Sequence, residues 1–214
     1  MRLKKLKRGF EKLTKAKARI IAHLIGDGAL YKTNHDYVLK YEVRDDESLD
    51  QFASDVFKVY GLKPSYELNT SGFTGEIIEF VRLRSKLAYE DLLRYATYYS
   101  KDWKIFSLLL DSSKIIKKEF LKALFDDEGT VTKNQVVLYS INKKGLLQIM
   151  KILFEDFNIV SKLYPGYGER RNVYGLVIND IKVFKDKIGF SLVRKMQKLN
   201  TSIFRKVNKN QFIE

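Results

Sequence analysis

A nine-residue pattern that occurs twice in this sequence restricts its possible folds more than any other feature. Residues 20–28 read IIAHLIGDG, and residues 121–129 read LKALFDDEG. Each copy is an apolar run with helical spacing, has alanine at its third position, and ends in an acid followed by glycine. The pattern predicts two helices that pack closely against each other through Ala22 and Ala123.

The acids at the ends of these runs are Asp27 and Glu128, followed by Gly28 and Gly129. We expect each glycine to take the left-handed conformation just past a helix end, which places the acid in the last turn. A carboxylate there opposes the helix dipole and costs roughly 0.3–1 kcal/mol. Either copy alone could be an ordinary helix with a glycine cap and an incidental acid. The recurrence of the same pattern argues against this explanation for both copies. A divalent cation between the helix ends would explain the acids, because Mg²⁺ prefers carboxylate and carbonyl ligands.

The composition indicates a nucleic-acid partner. The 214 residues carry a net charge of +14, which favours a polyanionic partner. The sequence contains no long uncharged apolar segment that would favour a membrane. The lack of Cys excludes disulfides, zinc fingers and thiol nucleophiles, and two histidines argue against a histidine-based site. Because no apolar stretch follows the basic N-terminus, we expect an intracellular protein, in the cytoplasm or nucleoid, or in an organelle of a eukaryote.

The order of the remaining elements is also repeated. In the first half we predict strands at 29–32, 37–44, 65–70 and 77–83, and helices at 47–60 and 86–98. In the second half we predict strands at 130–133, 136–141, 160–164 and 173–178, and helices at 143–157, from about 180, and at 192–208. Matching landmarks keep a steady offset, with Asp27 and Glu128 101 residues apart and Leu49 and Leu146 97 apart. Internal duplication is the simplest explanation.

The predicted fold class is α+β, with two pseudo-symmetric αββαββα halves. Their antiparallel sheets are expected to form a DNA-binding saddle, with the two motif helices at the central interface. We divide the chain into a basic arm at 1–13, a first half at 14–98, a linker at 99–112 and a second half at 113–214 that includes a basic C-terminal helix. Neither half is expected to fold alone, because its motif helix would expose an apolar face. Residues 1–112 carry a net charge of +4 and residues 113–214 one of +10, so the second half should bind phosphate more strongly.

The two nine-residue segments resemble the paired motifs of the monomeric LAGLIDADG homing endonucleases. The resemblance covers about residues 14–200 and implies that Asp27 and Glu128 are the metal-binding acids. It also implies that the backbone carbonyls of Gly26 and Asp127 help to hold Mg²⁺ or Mn²⁺. A protein of this family is expected to act as a monomer that cuts both strands of a long double-stranded DNA target across the minor groove. The implied biological role is intron homing, since the splicing segments of an intein are absent.

The free face of each sheet is the expected DNA-reading surface. A twisted antiparallel sheet can lie in the major groove, and alternation presents every second side chain to the bases. The candidate DNA-binding residues are Lys32, Lys40, Glu42, Arg44, Arg82 and Arg84 in the first half, and Lys133, Tyr139, Asn142, Lys162, Arg170 and Arg171 in the second. The resemblance also implies a basic residue near each scissile phosphate, and the strand-end residues Arg44, Arg84 and Lys133 match that role best.

Three side chains of the motif segments have other interpretations. His23 is expected to be a packed residue and not a ligand. Asp126 and Asp127 either hold metal or are solvated, and with Glu128 they form a cluster that should raise the pKa of its members until a cation binds. The main alternative function is a non-cleaving nucleic-acid-binding protein of the same fold, either an RNA maturase with intron RNA as its partner or a DNA-binding regulator. A structural protein with a basic surface is a third alternative.

Overall fold

The two predicted motif helices lie against each other. A computed structural model of the chain describes residues 9–70, 75–132, 134–166 and 172–211. Helix α1 (Lys15–Ile25) packs along helix α5 (Lys114–Glu128). Ala22 and Ala123 are both buried in the core, so the predicted close packing of the motif helices is confirmed.

The strands form two antiparallel sheets with the same topology. The first sheet has the order β1-β2-β4-β3 and the second the order β7-β8-β10-β9. Their strands are β1 (Gly28–Lys32), β2 (Tyr37–Glu42), β3 (Ser65–Thr70), β4 (Ile77–Arg84), β7 (Gly129–Val131), β8 (Val136–Ser140), β9 (Lys162–Pro165) and β10 (Tyr174–Ile178). The α+β class with two like halves is therefore confirmed, and each half places the strand that follows its motif helix at one edge of its sheet.

A long helix covers one face of each sheet. Helix α2 (Asp46–Tyr60) ends at Gly61, which has φ 68°, and helix α6 (Lys143–Phe157) ends at Asn158, which has φ 50°. Both end residues are left-handed, a conformation that Gly and Asn tolerate best. Apolar residues from the helices and from the covered sheet faces belong to one buried core.

The connection between the halves differs from the prediction. The helix expected to reach residue 98 stops early, as α3 (Lys86–Leu92), because the chain then forms a short ladder between β5 (Ala96–Thr97) and β6 (Lys104–Ile105). A short helix, α4 (Ser107–Leu110), follows. The ring of Trp103 lies so close to Gly145 of α6 that a Cβ atom there would be 2.4 Å from it, so the connection is packed against the second half.

Two helices complete the described chain, α7 (Ile181–Lys187) and α8 (Val193–Gln211). Helix α8 packs against the edge strand β7, where Leu199 is fully buried and the hydroxyl of Ser202 donates to the carbonyl oxygen of Thr132 at 3.2 Å. None of the helices in the described part of the chain combines the length and apolar character needed to cross a membrane.

Candidate active site and nucleic-acid interface

The two candidate acids stand where the motif helices end. Glu128 is the last residue of α5, and Asp27 follows α1 after the single residue Gly26. The strands β1 and β7 begin at the next residue in each case. Asp27 is exposed and Glu128 is half-buried, so both carboxylates are accessible from solvent.

The glycines after the acids do not take the left-handed conformation, so that prediction is wrong. Gly129 is extended, with φ −86° and ψ 146°, and Gly28 is not among the described glycines with positive φ. A Cβ atom at Gly28 would lie 2.6 Å from the carbonyl oxygen of His23, and one at Gly129 would lie 2.4 Å from that of Phe125. Each strand leaves its helix too tightly for any side chain, which is the reason for glycine here.

The surrounding protein keeps both acids from ionising at their ordinary pKa. Desolvation, followed by repulsion from Asp27 and Asp127, raises the pKa of Glu128 to about 7. Desolvation and then repulsion from Asp127 raise the pKa of Asp27 to about 6. Lys195 lowers both pKa values without cancelling the rise. The expected rise of pKa within a carboxylate cluster is therefore present, with desolvation as its larger cause.

Asp127 joins the two motif helices to each other. Its side chain is nearly fully buried, and its two carboxylate oxygens each lie 3.0 Å from Nδ1 of His23. The hydroxyl of Tyr41 donates to the same carboxylate at 2.7 Å. There is no room beside it for a larger residue at Gly26, where a Cβ atom would lie 2.7 Å from Oδ2 of Asp127. The side chain of Asp127 is thus buried and already hydrogen-bonded, and its backbone carbonyl is the candidate ligand.

Asp126 has a third environment. It is buried, and its carboxylate accepts the backbone N–H groups of Ser191 at 3.0 Å and Leu192 at 3.3 Å. These residues immediately precede α8. A carboxylate that binds N–H groups at a helix start satisfies donors that have no partner within the helix. Asp126 therefore anchors the start of α8, and the expectation that it is solvated is not met.

Lys195 of α8 is a site residue that sequence reasoning missed. Its Nζ donates to the carbonyl oxygens of Phe125 at 3.1 Å, Asp127 at 3.3 Å and Gly129 at 2.5 Å, and to that of Asp126. These carbonyls surround Glu128 in the chain and carry the negative end of the α5 dipole. Because α8 begins more than sixty residues after Glu128, no local pattern in the sequence indicates this contact.

The outer face of the first sheet, opposite its helices, carries charges of both signs. Its members alternate with the buried core residues of β2 and β4 or pair with this face from β3, and they include Lys40, Glu42, Glu67, Phe80, Arg82 and Arg84. Lys40 pairs with Glu42 at 2.5 Å, and Arg82 pairs with Glu67 at 2.6 Å. Lys40, Glu42, Arg82 and Arg84 are thus on the predicted face, where acids already hold the basic groups.

Two predictions for the first half need correction. Lys32 shares its strand face with Leu30, which packs on the core, so it lies on the helix side of the sheet and not on the outer face. Arg84 of β4 pairs with Val38 of β2. Val38 lies three residues before Tyr41, which pairs with Gly28, the neighbour of Asp27. This separation is roughly 10 Å along the strand, so Arg84 is at the far end of the sheet from Asp27 and does not suit the catalytic role.

Arg44 is better placed than Arg84. It follows the end of β2 that lies beside Asp27, since the backbone N–H of Glu42 points to the Asp27 carbonyl at 3.5 Å. The Arg44 side chain is 67% exposed and its guanidinium pairs with Glu76. It therefore remains a candidate both for DNA binding and for assisting the reaction.

In the second sheet, Tyr139 and Lys162 alternate onto the outer face, as expected. Asn142 does not belong to that face, and its prediction as a DNA-binding residue is wrong. It is buried, its side-chain oxygen accepts the backbone N–H of Gly145 at 3.0 Å, and its amide donates to the Trp103 carbonyl at 2.6 Å. It caps α6, a common task for Asn. Lys133, Arg170 and Arg171 lie outside the described residues.

A cavity of about 240 Å³ opens beside Glu128. It lies between the end of α1, the linker and the second sheet, and its lining residues are Ile25, Gly26, Ser100, Trp103, Glu128, Tyr139, Ser140, Ile141 and Val173. The cavity therefore brings together Gly26, one of the two candidate carbonyl ligands, and the acid of the opposite motif.

The donor set fits a divalent cation on this side of the site. Carboxylate and carbonyl oxygens are the ligands that Mg²⁺ and Mn²⁺ accept, and the pKa of Glu128 is raised by desolvation first and by repulsion from Asp27 and Asp127 second. Among the described residues, no group of three or more acidic, His or Cys side chains is arranged to hold a metal. Two carboxylates would need carbonyls, water or DNA phosphates to complete the coordination.

Comparison with known sequences identifies part of the chain directly. The profile of a family described as LAGLIDADG-like domain matches residues 116–189. Two relatives come from Methanocaldococcus jannaschii. The replication factor C small subunit is 33% identical over 87 residues, 38% of this chain and 5% of that protein. The probable translation initiation factor IF-2 is 30% identical over 183 residues, 74% of this chain and 15% of that protein. The chain thus spans only a small part of each relative.

Solved structures show the same fold. The homing endonuclease I-DmoI in complex with DNA and Mn has a TM-score of 0.64 at 17% identity, covering 85% of this chain and 100% of that one. The homing endonuclease I-WcaI bound to its DNA recognition sequence has a TM-score of 0.65 at 16% identity, covering 88% and 87%. Full-length DUF199/WhiA from Thermatoga maritima has a TM-score of 0.60 at 14% identity, covering 97% and 66%. The chain therefore contains a LAGLIDADG-like domain at residues 116–189 and shares the single-chain fold of the homing endonucleases.

Proposed function

We propose that this protein is a site-specific endonuclease that binds a long double-stranded DNA target and hydrolyses one phosphodiester in each strand with the help of a divalent metal. The observation that carries the proposal is the position of Asp27 and Glu128 at the ends of two packed helices, with solvent access and raised pKa values. Carboxylates in this position repel a phosphate group and destabilise the fold. A bound cation would neutralise them and so explain their presence.

The residues of the proposed active site have different roles. The Asp27 and Glu128 carboxylates and the carbonyls of Gly26 and Asp127 would hold Mg²⁺ or Mn²⁺, which when bound lowers the pKa of a water molecule and stabilises charge on the leaving oxygen. In the proposal one acid serves each strand, and this is supported by the packing of the two motif helices, at whose ends the acids stand. Arg44 lies at the same end of its sheet as Asp27 and can contact the phosphate backbone there.

Binding of the duplex is proposed to involve the outer faces of the two sheets. Lys40, Arg82 and Arg84 belong to the first outer face, and Tyr139 and Lys162 to the second. The net charge of +14 supports attraction to a polyanion. The structural neighbours include DNA complexes of homing endonucleases with Mn, Mg and Ca, and the fold likeness to them supports the same class of partner and cofactor here. Intron homing by a monomer is part of the proposal.

A non-cleaving protein of the same fold is the alternative. The likeness to WhiA, a neighbour that is not named as an endonuclease, favours it. So does the outer face of the first sheet, where Glu42 and Glu67 already neutralise basic groups that would otherwise hold DNA. An RNA maturase or a DNA-binding regulator would keep the sheets in use and leave the acids without a catalytic role.

The deciding experiment first finds the target and then separates binding from cleavage. Selection on a randomised DNA library identifies the bound sequence, and a plasmid carrying it is incubated with the protein and Mg²⁺. We expect double-strand cleavage by the wild type and none by Asp27→Asn or Glu128→Gln, both of which should still bind the target. Tight, sequence-selective binding by the wild type without cleavage would establish the alternative.

A further inference from the structure

We propose that Lys195 fills one of the two cation positions of the site, so that the protein holds a single divalent metal, on the side formed by Gly26 and Glu128. The proposal rests on the proposed metal-dependent function and narrows it. Two like halves predict two like positions, each made from the acid of one motif and the carbonyl that precedes the acid of the other. The two positions differ in this protein.

On the first side the position is open. Gly26 and Glu128 line one cavity of about 240 Å³, which is several times the volume of a water molecule. Trp103 and Tyr139 form part of its wall, and neither residue carries a charge that would compete with a cation. A hydrated metal therefore has both room and oxygen ligands there.

On the second side a lysine ammonium is already present. Nζ of Lys195 lies 3.3 Å from the carbonyl oxygen of Asp127, the ligand that matches Gly26 by symmetry. The same ammonium also donates to the carbonyl oxygens of Phe125 and Gly129. A lysine ammonium has only three N–H donors, and four carbonyl oxygens at the end of α5, including that of Asp126, share them.

The helix that carries Lys195 is fixed on both sides of this residue. The start of α8 is bound by the Asp126 carboxylate through the N–H groups of Ser191 and Leu192, and the helix is fixed again by the fully buried Leu199 one turn after Lys195. A divalent ion placed on the Asp127 carbonyl would face this ammonium at close range, and the like charges would repel each other. The ammonium itself supplies positive charge beside Asp27.

The asymmetry has a mechanistic consequence. Charge on one strand's phosphate would be compensated by a metal, and charge on the other by the fixed Lys195 ammonium. An ammonium can stabilise an anionic oxygen but cannot generate a metal-bound hydroxide. The two strands are therefore served by unequal cations, and we expect them to be cut at unequal rates, with a nicked intermediate.

Crystals of the protein soaked in Mn²⁺ test the proposal by counting anomalous scattering peaks. The wild type should show one peak, between Gly26 and Glu128. Lys195→Met should gain a second peak near Asp27 and the Asp127 carbonyl, whereas Lys195→Arg, which keeps a cation, should not. Lys198→Met removes another lysine of α8, exposed in the structure, and should leave one peak.

Each other outcome overturns a defined statement. Two peaks in the wild type, or a single peak in well-folded Lys195→Met, would refute the role of Lys195 and leave the nuclease proposal intact. No peak in any variant would count against metal binding itself and so against the proposed function. Titration of Mn²⁺ followed by electron paramagnetic resonance gives the same count in solution, with one ion per wild-type chain expected and two per Lys195→Met chain.

Discussion

Nδ1 of His23 lies 3.0 Å from both carboxylate oxygens of Asp127, and this contact joins the two motif helices near their C-terminal ends. Asp127 precedes Glu128, and His23 lies four residues before Asp27. The pair is buried, with the Tyr41 hydroxyl as a further donor. The bond therefore sets the position of one candidate acid relative to the helix that carries the other.

We predict that His23→Leu destabilises the protein by roughly 3 kcal/mol at about pH 6, because the buried Asp127 charge loses its main partner. Burial lowers the pKa of His23, but the charge and hydrogen bond of Asp127 outweigh it, so the pKa is raised above 6.5. The stabilisation is thus fully present below about pH 6.5 and is lost as the pH rises through the folded-state pKa.

Urea unfolding of the wild type and His23→Leu at several pH values measures this difference. His35→Leu, which changes an exposed histidine, is the control and should have little effect at any pH. If the loss caused by His23→Leu were the same at about pH 6 and about pH 9, the ion pair would not be its cause.

The repeated pattern predicted the fold because it reports packing. Helices α1 and α5 and the strand order of each sheet follow from apolar spacing and from the positions of turn residues, which depend on neighbours close in the chain. Helix α6 was predicted at its observed bounds, 143–157. The alternation of β2 likewise placed Lys40 and Glu42 on the outer face, opposite the buried Leu39 and Tyr41.

The details of the site could not be predicted in the same way. Asp126, Asp127 and Glu128 are consecutive acids, yet they point to the start of α8, to His23, and to the cavity beside Gly26. Only tertiary contacts distinguish them. For the same reason Lys195 was missed and the buried cap Asn142 was misassigned. The sequence alone does not show whether a polar side chain faces DNA or the protein's own backbone.

Replacing the candidate acid Glu128 by Gln should stabilise the metal-free protein at high pH. The pKa of Glu128 rises from 4.5 to about 7 on folding, so the folded state resists ionisation of this group. The resulting loss of stability is fully present above about pH 7 and absent below about pH 4.5. Glutamine carries no charge at either pH, and we expect it to add roughly 1–2 kcal/mol at about pH 8 and nothing at about pH 4.5.

Chemical unfolding in EDTA across this pH range provides the measurement. Glu90→Gln on α3, where the glutamate pairs with Lys86 at 3.7 Å on the surface, is a matched control and should change stability by less than about 0.5 kcal/mol. If the increase in stability caused by Glu128→Gln did not depend on pH, ionisation of the Glu128 carboxylate would not be what destabilises the fold.

Glu67→Gln should increase the affinity for DNA of any sequence. Glu67 pairs with Arg82 at 2.6 Å and with Arg84 at 3.5 Å on the outer face of the first sheet, and a duplex on that face must break these pairs before it can use the arginines. Removing the acid frees both, and we expect affinity to rise about three- to tenfold, or roughly 1 kcal/mol.

The control for Glu67→Gln is Glu155→Gln, which makes the same charge change on α6, where the glutamate pairs with Lys151 at 3.8 Å. Fluorescence anisotropy with a random duplex at two salt concentrations measures both variants. Equal gains would mean that net charge alone matters and that the outer face of the first sheet is not where DNA binds.

Asn142→Ala should weaken the fold without changing how DNA binding depends on salt. Its side chain accepts the Gly145 N–H at 3.0 Å and donates to the Trp103 carbonyl at 2.6 Å, so its loss removes a helix cap and leaves a buried carbonyl unpaired, costing about 2 kcal/mol. Lys162→Ala is the opposite case, since Lys162 is exposed on the outer face of the second sheet. It should leave stability unchanged and lower the slope of log affinity against log salt by about 0.9 if it contacts a phosphate. A reduced slope for Asn142→Ala at a temperature where it is fully folded would return that residue to the DNA-binding surface.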